Sequence, residues 1–208
     1  MNKLNLNQPL AVVVVGLPGA GKTFFAERFA TMFGAPVVSR DRIRWTLFAN
    51  HTYSDNENAM VNQVADLFIN EMWRSKHTFV LDGGYDRHQT RDHLIRLAKK
   101  AGFYPLVVEI QSGEPISQDR ATHRRAKNPD DKYNQSLSTT QFAKFKNDYE
   151  APRSGQNTVV ISGTHTTQTQ LRTVLQKIIT LEKTATTEEK RVASKNNASG
   201  AASKVFIQ

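Results

Sequence analysis

Apolar residues along this chain follow two alternating rhythms. Short unbroken runs, Leu10 to Val15, Ala35 to Ser39, Thr78 to Leu81, Pro105 to Ile110 and Thr158 to Ser162, have the length and β-branched content of buried strands. Between them the apolar positions recur at helical spacing. KTFFAERFATMF predicts a first helix, and Ile43, Trp45, Leu47 and Phe48 a second. A polar loop, Ala49 to Asn56, leads into a long third helix from Glu57 to Ser75, with Met60, Val64, Leu67, Phe68 and Met72 on one side. Leu94, Ile95, Leu97 and Ala98 signal a helix that stops at Gly102, and Pro115 opens another. Thr139 to Tyr149 is a short helix, and Thr167 to Leu181 closes the series. Strand and helix alternate from end to end, which predicts an α/β fold: a roughly five-stranded parallel sheet covered on both faces, a three-layer sandwich.

Two stretches break the pattern. Lys127 to Ser138, with NPDDKYN inside it, is polar and broken enough to serve as a mobile lid. From about Lys183 the composition turns to Thr, Ala, Ser, Asn and Lys without an apolar stripe, which reads as a disordered C-terminal tail. The expected organisation is therefore one domain over residues 1–182 and a flexible basic tail over 183–208.

Composition narrows the chemistry. The chain has no cysteine, so disulfides, thiolate metal sites and cysteine nucleophiles are excluded. A formal net charge of +9 suits a polyanionic ligand, either nucleotide phosphates or a nucleic acid, and part of it lies in the tail, where Lys183, Lys190, Arg191, Lys195 and Lys204 outnumber Glu188 and Glu189. No apolar run approaches the ~20 residues of a membrane span, and the N-terminus lacks a signal-peptide layout, so cytoplasmic residence is expected. The six histidines show no metal-ligand spacing such as HExxH.

The strand Leu10 to Val15 runs directly into GLPGAGKT, residues Gly16 to Thr23, which fits GxxxxGK[ST] in full. Such a loop turns its backbone N–H groups inward around phosphate oxygens at the start of the following helix. Gly16, Leu17, Pro18, Gly19, Ala20, Gly21, Lys22 and Thr23 are thus expected to bind ATP, with Lys22 reaching the β- and γ-phosphates and the Thr23 hydroxyl facing Mg²⁺.

Phosphoryl transfer to a hydroxyl also needs a group to accept or orient its proton, and cations near the developing charge. Asp41 stands where the second strand meets a helix; it can act as that base, or it can simply cap the helix. Arg44, one step on, can bind the acceptor. Asp82 closes the third strand, where it can hold the metal or lie on the acceptor side, or be a turn residue before Gly83 and Gly84. Arg124, or its neighbour Arg125, lies at the edge of the lid segment and can swing over the transferring phosphate. Arg120 lies one helical turn before Arg124. As lone arginines on a helix, Arg120 and Arg125 can equally be solvated.

These residues together resemble the P-loop kinase family with AAA-type ATPase domains, whose members include the 5′-kinase domain of phage polynucleotide kinase and zeta-toxin-like kinases. The resemblance spans Leu10 to Leu181. GLPGAGKT is similar to the family's Walker A form, and SRDRIR to the segment in which an Asp acts as general base and an Arg three residues later contacts the acceptor, here Asp41 and Arg44. DRATHRRAKNPDD is similar to the lid helix with arginines four apart, here Arg120 and Arg124, and EAP at Glu150 to Pro152 to the run into strand five, which implies base contacts near Gly163 to Thr166. The chain departs from polynucleotide kinases after strand three, where it has DGGY at Asp82 to Tyr85. The resemblance implies a P-loop NTPase fold and a kinase that uses ATP and Mg²⁺ on an acceptor hydroxyl, on a nucleic-acid 5′ end or a small molecule. A nucleotide-hydrolysing switch acting through a partner, and a nucleic-acid-binding protein led by its basic tail, are the other readings of the same features.

Overall fold

The computed structural model of the chain describes residues 8–124, 133, 136–153 and 155–200, with side chains through residue 183. Strand β1 (Leu10–Val15) is buried along its whole length, as its unbroken apolar run requires. It pairs with β3 (Phe79–Asp82) on one side and β4 (Tyr104–Gln111) on the other. β2 (Val37–Ser39) and β5 (Thr158–Ser162) form the edges, and all four pairings are parallel, in the order β2-β3-β1-β4-β5.

Alternate residues of β1 feed two cores. Val12 and Val14 pack with Phe25 and Phe29 of α1 (Lys22–Phe33) and with Leu171, Val174 and Ile178 of α7 (Thr167–Gly200). Ala11 and Val13 pack on the other face with Val61, Ala65 and Ile69 of α3 (Asp55–Ser75) and Leu94 and Ala98 of α4 (His88–Lys100). Period-two alternation in the strand and a 3.6-residue period in the helices make these two faces compatible. The α/β P-loop NTPase sandwich expected from the sequence is the fold found.

Register positions the site. Val14 is level with Asp82 on β3, and Ser39 of β2 is level with Asp82 as well, so the ends of three strands meet at one edge. The chain leaves β1 for strands on one side and later returns to pair on its other side, so the crevice at the carboxyl ends opens beside β1.

Some boundaries differ from the sequence reading. α2 (Arg40–Leu47) begins at Arg40, and its N-cap is Ser39, whose hydroxyl accepts from Arg42 N at 3.5 Å. Asp41 therefore lies in the first turn and is not the cap. α5 (Glu114–Thr122) ends before Arg124, so Arg120 and Arg124 do not share a continuous helix. α6 (Thr139–Asp148) starts with a Ser138/Gln141 capping box. α7 continues past Leu181 to Gly200; Ala, Glu, Lys and Arg between 182 and 193 favour helix even without a stripe to bury. Most of the expected lid, 127–132 and 134–135, Arg125 and the last residues of the tail, 201–208, lie outside the described residues. No described helix is long and apolar enough to cross a membrane.

Candidate nucleotide and acceptor site

The backbone turns into α1 through Gly21, whose φ of 107° is left-handed and whose helix start has no side-chain cap. The first N–H groups of a twelve-residue helix are thus left facing the cleft, with the positive end of its dipole behind them. Lys22 folds back over the loop, its Nζ donating to the carbonyls of Gly16 at 2.8 Å and Leu17 at 3.1 Å. Thr23 Oγ1 donates to Asp82 Oδ2 at 2.9 Å, and Ser39 Oγ reaches the same oxygen at 3.5 Å. Hard oxygen donors beside a phosphate cradle are the ligand set Mg²⁺ takes, so Thr23 and Asp82 fit that ion. No group of three or more His, Asp or Glu that could hold a metal by itself occurs among the described residues.

The cleft is about 1700 Å³ and is lined by the site residues expected from the sequence and described here, except Leu17, Ala20 and the expected base-contact loop Gly163 to Thr166. Leu17 serves through its carbonyl, and the Ala20 side chain is buried beneath the loop. Asp41 is half-buried at the cleft wall and makes no hydrogen bond to a described side chain. Burial, and then the charge of Asp82, raise its pKa, while Lys22, Arg44 and Arg124 pull it back down. Burial likewise raises Asp82 against the bond from Thr23 and the charges of Lys22 and Arg42. Two carboxylates and two basic side chains, Lys22 and Arg124, thus act on one space.

Arg44 is held more firmly than a free substrate-binding arginine. Its Nη1 is paired with Glu57 in a buried ion pair, its Nη2 donates to Asn58 Oδ1 at 2.8 Å, and its guanidinium lies 4.4 Å from the Tyr53 ring centre. Arg44 Nε is left buried at the cleft wall without a partner among the described residues. Glu57 also accepts from Thr52 N at 2.7 Å, Thr52 Oγ1 at 2.8 Å and Tyr53 N at 3.1 Å. Burial opposes its charge, but the bonds from Arg44 and Thr52 outweigh that and hold its carboxyl at about 2. This network keeps Tyr53, at the cleft wall, at a φ of 54°, an uncommon conformation for an aromatic residue.

Both glycines of the DGGY run have left-handed backbone, φ 88° at Gly83 and 82° at Gly84, and at Gly84 the Arg40 side chain also crowds the position. Arg40 Nη1 donates to Gly83 O at 2.6 Å, and its guanidinium lies 4.6 Å from the Tyr85 ring centre. A Cβ on Gly84 would come within 2.4 Å of Arg40 Nη1. At the other end of the cleft, Arg120 Nη1 donates to Gly163 O at 3.3 Å, and Gly163 lies against the carbonyl of Ala20 in the phosphate loop. The spacing of charged residues did not reveal Arg40, Tyr53 or Glu57, because the partners that hold them lie on other elements.

The model of a family described as AAA domain matches residues 12–152. No curated protein matches the chain at a significant level. Among solved structures, a gluconokinase from Sinorhizobium meliloti 1021 superposes with a TM-score of 0.62 at 18% identity, covering 86% of this chain and 97% of its own. Kti12 from Chaetomium thermophilum, solved in complex with ADP-AlF3, gives 0.62 at 20% identity over 83% of this chain and 98% of its own. A sugar kinase from Janibacter sp. HTCC2649 gives 0.60 at 13% identity over 82% of this chain and 94% of its own. At these identities the likeness is one of fold.

Proposed function

We propose that this chain, which belongs to the AAA domain family, is a kinase that transfers the γ-phosphate of ATP to an acceptor hydroxyl. The observation that carries the reading is the placing of Asp41 opposite an uncapped phosphate-loop helix, in a cleft that also holds Lys22, the Thr23–Asp82 pair and Arg124. In this reading the loop N–H groups and Lys22 hold the β- and γ-phosphates. Asp41 accepts the acceptor's proton as its oxygen bonds to the γ-phosphorus; the bond to the β,γ-bridging oxygen breaks, and ADP leaves. Arg124, with Arg120 behind it, balances the charge that spreads over the transferring oxygens. Bound Mg²⁺, held by Thr23 and Asp82, would supply charge neutralisation on the same phosphates. Arg44, Tyr53 and Asn58 line the side from which the acceptor approaches; contact of the base with Gly163 to Thr166 rests on the family resemblance alone.

Residues 1–182 form the catalytic unit in this reading, and 183–208 an appended basic segment. The acceptor is a nucleic-acid 5′-hydroxyl, as the resemblance to polynucleotide kinase implies, or a small-molecule hydroxyl, as in zeta-toxin-like kinases. The test is transfer of labelled γ-phosphate to 5′-hydroxyl DNA, 5′-hydroxyl RNA, nucleosides and UDP-N-acetylglucosamine, with Lys22→Ala as control and a chain ending at Lys183 in parallel. Label on one acceptor, absent from the control and retained by the shortened chain, is the expected result. Release of free phosphate alone would turn the reading toward a nucleotide-dependent switch.

A further inference from the structure

Arg91, in the first turn of α4, is completely buried and has no carboxylate bonded to it among the described residues. A charge in that position is costly unless its donors find partners. The arginine uses four of its five N–H donors, on both sides of the cleft. Nη1 donates to Tyr85 O at 2.7 Å, in the loop after β3, and Nη2 to Glu150 O at 2.5 Å, just beyond α6. Nε reaches Gln156 Oε1 at 3.4 Å, ahead of β5.

The two carbonyls belong to separate walls of the acceptor half of the cleft. Gly84, Asp86 and Arg87 line one wall, and Lys144, Phe145 and Asp148 line the other. Around Arg91 the walls are joined three more times: Glu150 N donates to Asp86 O at 2.9 Å, His88 N donates to Glu150 Oε2, and Arg87 Nη2 pairs with Asp148 Oδ1 at 2.6 Å.

One contact in this cluster depends on a proton. Arg91 Nη2 lies 3.0 Å from His88 Nδ1. A guanidinium has only hydrogens to offer, so Nδ1 must be the acceptor and the imidazole must be neutral, with its proton on Nε2. Protonation of Nδ1 would replace a hydrogen bond with two opposed donors and two like charges. Asp92 and Glu150 also face this pair, along with Asp86, Tyr149 and the Arg87–Asp148 bridge. Asp92 is already engaged by Gln156 Nε2 at 2.7 Å and by Arg153.

We propose that Arg91 is a positioning residue that locks the two acceptor-side walls together, and that the lock holds only while His88 is neutral. The proposal concerns the acceptor half of the kinase reading above, but the lock itself can be measured without any acceptor.

Hydrogen exchange on the full-length chain, followed at the amides of His88 and Glu150 with β1 amides as internal reference, is the direct test. In the wild type, protection at both amides is expected to fall at least about tenfold between pH 8 and pH 5.5, after correction for intrinsic exchange, since a hydrogen bond to a charged group is lost. Arg91→Lys should lower protection at both pH values while leaving β1 unchanged. His88→Asn, whose side-chain carbonyl can still accept from Arg91, should remove the pH dependence and keep the protection. Protection that does not change with pH in the wild type, or that survives Arg91→Lys in full, would overturn the proposal. If an acceptor from the panel is phosphorylated, Arg91→Lys should raise the acceptor KM by about tenfold with the ATP KM unchanged, a split that general destabilisation would not produce. Failure of every acceptor would count against the kinase reading and leave the exchange result to decide the lock.

Discussion

Thr23 Oγ1 donates to Asp82 Oδ2 across 2.9 Å, joining the last residue of the phosphate loop to the last residue of β3. The bond aims a neutral hydroxyl and a carboxylate at one point beside the cradle. Asp82→Asn retains an acceptor for Thr23 but removes the charge. We expect the Mg²⁺ needed for half-maximal turnover to rise and turnover at fixed Mg²⁺ to fall by about 10- to 100-fold. Nucleotide binding in excess EDTA should stay at the wild-type level. A Mg²⁺ titration of both proteins checks this, and matching curves would limit Asp82 to holding Thr23.

Asp41 must be unprotonated to act as a base, and burial together with the Asp82 charge raises its pKa. The sign follows: acidification protonates Asp41 before an ordinary exposed carboxyl, so kcat/KM should fall as pH drops, with its acid limb above the usual carboxylate range. Asp41→Asn should lower kcat by about 10²-fold or more while ATP binding is nearly unchanged. A pH–rate profile and nucleotide titration of the variant measure both effects. Full turnover by the variant would remove Asp41 from the proton path.

Glu57 holds its carboxyl at about 2 in the fold, below the ordinary 4.5. A lowered carboxyl pKa adds stability that is complete above about 4.5 and is lost as pH falls from there toward 2. Glu57→Gln leaves Arg44 charged and unpaired in the interior, and should destabilise the chain by about 3 kcal/mol at neutral pH. The variant's loss should shrink as pH approaches 3. Urea unfolding at several pH values reads this; equal stability of the two proteins at pH 7 would show that the pair contributes no net stability.

Gly163 lies where the loop after β5 meets the phosphate loop. A Cβ there would come within 2.0 Å of Ala20 O and 2.4 Å of Ser112 Oγ. Backbone cannot yield as a flexible side chain does, so Gly163→Ala should push the two loops apart. We expect a loss of about 1–3 kcal/mol in stability and weaker nucleotide binding, read by thermal unfolding and by titration with a fluorescent ADP analogue. Unchanged affinity would place the nucleotide away from this loop.

The glycine-rich turn from Gly16 to Thr23 was legible because its geometry is local. It is the turn of one segment, and the strand before and the helix after are both visible as hydrophobic periods. Asp41 and Asp82 were legible as strand-end positions able to converge on one cleft, but the register that brings them to one edge, of β1 with β3 and of β3 with β2, was not. Capping was one of two roles open to Asp41; α2 starts at Arg40, two residues earlier than an Asp41 cap would require, and gives that role to Ser39. The end of α5 at Thr122 likewise separated Arg120 from Arg124, which a helical count alone had put on one face.

What the sequence determined by itself is the alternation of strand and helix, the two-sided burial of β1 and the phosphate cradle, each of which depends on residues within a few positions of one another. What only the tertiary structure decided is which arginine meets which partner. Arg44 was taken up by Glu57, Arg40 by the Gly83 carbonyl and Arg91 by carbonyls from two distant loops. A guanidinium carries the same charge wherever it falls in the chain, and whether it binds a ligand, an acid or a backbone oxygen depends on what the folded chain brings within about 3 Å of it.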